Sequence, residues 1–113
     1  MIIEHLTFEV PPEHQATFLH WDDRLWTRLL AQQPGYQGKE IWRDPQIPQR
    51  LHLMIRWETW EHWQTLAPDL LAATEQQFQA ALHAAHCSYH FLGCQGLETV
   101  ASPPTPEARS LLQ

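Results

Sequence analysis

The chain has 113 residues, 43% of them apolar and 18% charged, with a net charge of −6. That length holds one hydrophobic core and no second, the apolar share excludes a disordered chain, and an acidic balance without a basic stripe excludes a nucleic-acid partner gripped through its phosphates. With no run of about 18 apolar residues and an opening MIIEHLTFEV that lacks a basic flank and a cleavage site, the expectation is a cytoplasmic protein with no membrane partner, whose Cys87 and Cys94 are free thiols.

MIIEHLTFEV alternates as a strand, with Ile2, Leu6, Phe8 and Val10 on one face and Ile3, His5, Thr7 and Glu9 on the other. Pro11-Pro12 ends it, and Pro12 suits the first turn of a helix. From about Glu13 to Gln33 the residues Phe18, Leu19, Leu25, Trp26, Leu29 and Leu30 recur at three- and four-residue spacing. This predicts an amphipathic helix of about five turns, closed by Pro34-Gly35. YQGKEIWRD and RLHLMIRWE predict a hairpin about a turn at Pro45 to Pro48. Thr59 is a natural N-cap for a short helix, TWEHWQTL, which Pro68 interrupts. A second piece, about Asp69 to Ala85, carries Leu70, Leu71, Thr74, Phe78 and Leu82 on one stripe. SYHFLGCQGLETV closes the pattern as a strand whose glycines predict a bulge or bend, and residues 101–113 form a Pro-rich tail.

The order β-α-β-β-α-β is the ferredoxin-like split motif, an α+β fold with a four-stranded antiparallel sheet over residues 1–100. Two helices cover one sheet face. The other face, with Ile3, Ile41, Met54 and Leu92, is too apolar to leave in water, which predicts a homodimer packed sheet against sheet.

Asp22 is the most informative residue. At 100° per residue it falls inside the apolar stripe of the first helix, facing the sheet. There it either pairs structurally, with Arg56, His5 or a Trp indole N–H, or stands desolvated with a raised pKa, as a general base does. Asp23 points to solvent. Trp26 lies one turn beyond Asp22, and Trp57, Trp60 and Trp63 follow at three-residue spacing. These four either pack core and interface or wall a slot for a small aromatic molecule. His5, Thr7, His52 and Arg56 point the same way on neighbouring strands, as a polar cluster on the second face. His83 and Cys87 are one helical turn apart, but an extended segment puts His90 and Cys94 about 13 Å apart, so no metal site is expected.

The segments DDRLWT, PGYQGKEIW and MIRWETWEHW resemble a group of small, mostly cyanobacterial proteins, a branch of the antibiotic-biosynthesis-monooxygenase-like domains in the dimeric α+β barrel superfamily. The resemblance spans about residues 1 to 100. It implies a barrel formed by two sheets and a cofactor-independent oxygenase, in which a base removes a phenolic proton and the phenolate reduces O₂. On that analogy Asp22 is the base, His5 or Arg56 stabilises the developing anion, and Trp26, Trp57, Trp60 and Trp63 bind substrate. The alternative is a non-enzymatic small-molecule-binding or scaffold homodimer. Haem-degrading and quinone-forming members use an Asn beside the reacting group; this chain contains none, so that role is not carried over.

Overall fold

The structure, a computed structural model, describes residues 1–101. The tail expected from residue 101 lies outside the described residues except for Ala101. Strand β1 (Ile2–Glu9) is followed by a helical run, then by β2 (Tyr36–Arg43), β3 (Arg50–Trp57), the short helix α3 (Trp60–Gln64), helix α4 (Pro68–Ala84) and β4 (His90–Glu98). The sheet order is β2-β3-β1-β4, antiparallel throughout. This is the ferredoxin-like arrangement that the element order predicts.

The core forms where the helices meet one sheet face. Leu51, Leu53, Ile55 and Trp57 alternate along β3 and are all buried. They pack with Phe18 of the first helical run, with Phe78 and Leu82 of α4, and with Leu30 and Ile2. Thr59 caps α3 by accepting a hydrogen bond from the His62 backbone N–H at 3.2 Å. The first helical run ends at Leu30, short of the expected Gln33, and Gly35, at φ +84°, stands in the turn before β2, where a Cβ would lie 2.3 Å from the His62 ring. The bulge expected in β4 lies where its pairing with β1 shifts, between Thr7 and Phe8.

The first helix departs from the expected single α-helix. After a 3-10 turn, Pro12–His14, the chain forms α1 (Gln15–Trp21), a π-helical turn over Asp22–Thr27, and a last α-turn, α2 (Arg28–Leu30). The Arg28 backbone N–H reaches back five residues, to the Asp23 carbonyl. A π turn holds an extra residue, so it delays the buried stripe by about one position. Leu30 is therefore the buried residue (4% exposed), where an unbroken α-helix would favour Leu29.

Register also reassigns Ile41. It pairs with Leu53, and Lys39 pairs with Ile55, so both face the helices; Glu40 and Trp42, opposite Met54 and His52, face outward. The outer sheet face thus carries Ile3, Trp42, Met54 and Leu97 among polar groups. Among the described residues no helix is long and apolar enough to cross a membrane.

Candidate functional site

A cavity of about 390 Å³ opens between the helices and the sheet, with Trp26, Trp63, Phe8 and Phe78 among its walls. Four charged side chains reach it: Glu4, Asp22, Lys39 and Glu75. One row across the sheet positions two of them, because Lys39, Ile55, Glu4 and Gly96 are successive cross-strand partners on β2, β3, β1 and β4. Paired residues share a sheet face, so this row looks up at the first helix.

Asp22 comes down from that helix at the start of the π turn and is 2% exposed. Its Oδ2 accepts a hydrogen bond from Lys39 Nζ at 2.6 Å, and the same ammonium donates to Thr27 Oγ1 at 2.9 Å. The partner is thus Lys39, and not Arg56, His5 or a Trp indole as expected. Asp22 is paired, yet burial holds its carboxyl above the ordinary range despite the attraction of Lys39. Glu4 sits across the row, where its Oε1 accepts the Trp57 indole N–H at 3.0 Å. Burial raises the Glu4 carboxyl too, against the Trp57 hydrogen bond and the Lys39 charge.

Of the expected site residues, the structure brings Asp22, Trp26 and Trp63 together at the cavity. His5 and Arg56 are not with them. Both point to the opposite sheet face, since strand residues alternate and the cavity takes the even positions of β1 and the odd positions of β3. There His5 Nε2 meets His52 Nδ1 at 2.8 Å, while Arg56 is ion-paired with Glu40. Burial and the neighbouring His52 lower the His5 pKa. Trp57 is no cavity wall either: it is fully buried in the core, and its contribution is the hydrogen bond to Glu4. Trp60 is 50% exposed and packs edge-on against Trp63, ring centroids 5.1 Å apart. An edge of the Trp63 ring comes close to Gly96, where a Cβ would lie within 2.8 Å of it. Cys87 is buried, with its thiol 3.5 Å from the His14 carbonyl, and Cys94 is likewise a free thiol.

Sequence reasoning missed Lys39 and Glu4. Glu4 interrupts the even, apolar series of β1, which was a usable sign of an inward charge. Lys39 gave no such sign, because β2 is an edge strand with polar residues on both faces.

Residues 1–88 match the family model described as Antibiotic biosynthesis monooxygenase. No curated protein matches the chain. Solved structures that share its fold include the following three. The cofactor-independent oxygenase SnoaB from Streptomyces nogalater is 17% identical, with a TM-score of 0.58 over 93% of this chain and 96% of that one. The ActVA-Orf6 monooxygenase of Streptomyces coelicolor, in complex with Nanaomycin D, is 12% identical, with a TM-score of 0.59 over 92% of each chain. A dimeric ferredoxin-like protein from an uncultured marine organism is 12% identical, with a TM-score of 0.61 over 92% of this chain and 98% of that one.

Proposed function

We propose a function from one premise: the chain belongs to the antibiotic biosynthesis monooxygenase family. In this reading it is a cytoplasmic homodimer that oxidises a phenolic aromatic molecule with O₂ and no cofactor, in the cavity between the first helix and the sheet. The observation that carries it is the Asp22–Lys39 pair, which faces an apolar cavity walled by Trp26 and Trp63. Asp22 accepts the phenolic proton, a role that suits a carboxylate of raised proton affinity. Lys39 takes the place expected of His5 or Arg56 and holds the phenolate charge. The tryptophans stack on the ring.

The phenolate passes one electron to O₂, giving a phenoxyl radical and superoxide. These join at the ring carbon para to the oxygen, which carries one hydrogen, and a proton completes the hydroperoxide. Loss of water then leaves a carbonyl. The phenol as a whole gives up four electrons and O₂ takes four, with one oxygen atom retained and the other released as water. SnoaB, which shares the fold, is a cofactor-independent oxygenase, and the apolar residues of the outer sheet face suit a second copy of the chain.

The test is oxygen uptake with hydroquinones and anthrone-type phenols. Wild type consumes O₂ in proportion to carbonyl formed, and Asp22→Asn lowers the rate at least about a hundredfold, the usual weight of a general base. Equal rates in the two proteins refute the assignment. A second reading, ligand binding without turnover, is favoured by the Lys39 contact itself, because an ammonium on Oδ2 opposes protonation of that carboxylate. Stoichiometric binding with no O₂ consumption would select it.

A further inference from the structure

The charges at the cavity do not cancel. Three carboxyl groups, Glu4, Asp22 and Glu75, face it against one ammonium, Lys39. That ammonium is committed to Asp22 and Thr27. Among the described residues the ion pairs are Lys39–Asp22, Arg50–Glu9 and Arg56–Glu40, so neither Glu4 nor Glu75 has a cationic partner. Glu4 is held by a neutral donor, the Trp57 indole, and through one oxygen only; Glu75 accepts a bond from the Gln79 amide of its own helix.

Around these acids stand the faces and edges of Phe8, Trp26, Trp63 and Phe78. Aromatic faces attract a cation through the ring quadrupole, and a carboxylate adds a charge-assisted hydrogen bond. Such a site compensates an organic ammonium for the water it loses. Beyond the Lys39 ammonium at the Asp22 end, it offers an aromatic carboxylate no positive charge and two carboxyl groups that lack a cationic partner.

We propose that the cavity selects aromatic molecules carrying a basic amine, with the ammonium held by the carboxylate of Glu4, assisted by Glu75, and the ring stacked between Trp26 and Trp63. The inference rests on the reading of this cavity as the ligand site. It adds a second polar contact, so that the ligand is a phenol at its Asp22–Lys39 end and an amine at the other. Glu4 thereby sets specificity, while Asp22 and Lys39 serve the hydroxyl. Gly96, the cross-strand partner of Glu4, leaves room for the edges of the Trp63 and Trp60 rings.

Isothermal calorimetry on the full chain, under anaerobic conditions, tests this with three matched probes: 2-naphthol and its 6-aminomethyl and 6-carboxyl derivatives. The amine binds about tenfold or more tightly than 2-naphthol, consistent with one cation–π contact plus one charged hydrogen bond, and the carboxylate binds more weakly than either. Glu4→Gln keeps an acceptor for Trp57 and brings the amine-to-parent ratio close to one; Glu75→Gln, on α4, lowers it partway. Glu13→Gln, an exposed charge away from the cavity, leaves the ratio unchanged. A carboxylate that binds as well as the amine, or a ratio that falls equally in Glu13→Gln, overturns the proposal. So does a 2-naphthol that binds with no preference for the amine, and in that case the cavity remains the ligand site. Failure of all three probes to bind overturns the cavity reading and the proposal with it.

Discussion

Replacing Asp22 by leucine removes one half of an ion pair whose side chains are only 3% and 4% exposed. The stranded group is Lys39, left with Thr27 as its hydrogen-bond partner. Removal of one partner from a buried pair costs about 3–5 kcal/mol. Replacing both partners, as Asp22→Leu with Lys39→Met, leaves no stranded charge and should be neutral or stabilising by about 1–4 kcal/mol. Urea unfolding followed by tryptophan fluorescence measures all three proteins. With a slope of about 2 kcal/mol per molar urea, the single variant's midpoint falls by roughly 1.5–2.5 M at pH 7. The double variant recovers to wild type or above. A double variant no more stable than the single one would refute the pairing argument, since the cost would then come from shape and not from charge.

Glu4 gives a pH signature. Its folded pKa is raised from 4.5, so its contribution to stability is fully present below that ordinary value and is lost as pH rises through the folded pKa. Relative to Glu4→Gln, wild type should lose stability on going from pH 4.5 towards neutrality; parallel pH profiles would contradict the buried placement. His5 has the opposite sense, since its pKa is lowered from 6.5. Its contribution is present above 6.5 and is lost as pH falls through the folded value, so His5→Gln should flatten the acid side of the thermal-stability profile measured by calorimetry. Gly96→Ala puts a Cβ within 2.8 Å of the Trp63 ring. The expected cost is about 1–3 kcal/mol of overpacking, together with a displaced Trp63 emission spectrum, and an unchanged spectrum would show that the ring does not rest on β4. Thr59→Ala should cost about 1 kcal/mol in urea unfolding through loss of the cap on α3.

The fold was legible where one periodicity dominated. β3 alternates cleanly because it is a central strand with helices on one side only, and the spacing of its sequence puts Leu51, Leu53, Ile55 and Trp57 on one face. Thr59, Pro68 and the β4 glycines act through local backbone chemistry, which short sequence windows carry. β2 behaved differently. It is an edge strand with no deeply buried face, so alternation could not tell Ile41 from Trp42; only the pairing of β2 with β3 decides it. The partner of Asp22 was hidden for that reason, since choosing Lys39 over Arg56 requires the β2 register.

The π turn shows how a site was half visible. Phe18, Asp22, Trp26 and Leu30 recur at steps of four, a longer period than the 3.6 of an α-helix. An unbroken α-helix would carry Trp26 and Leu30 progressively off the sheet-facing stripe. The extra residue in the π turn brings both back, so that Asp22, Trp26 and Leu30 all line the cavity. The wheel placed Asp22 correctly because the π turn begins there and its phase error has not yet accumulated. The steps of four were the available sign that the period lengthens after it. The helical irregularity and the buried acid are thus one feature: the turn that costs regular α-helical hydrogen bonding is the turn that aims a carboxylate and an indole into the same space.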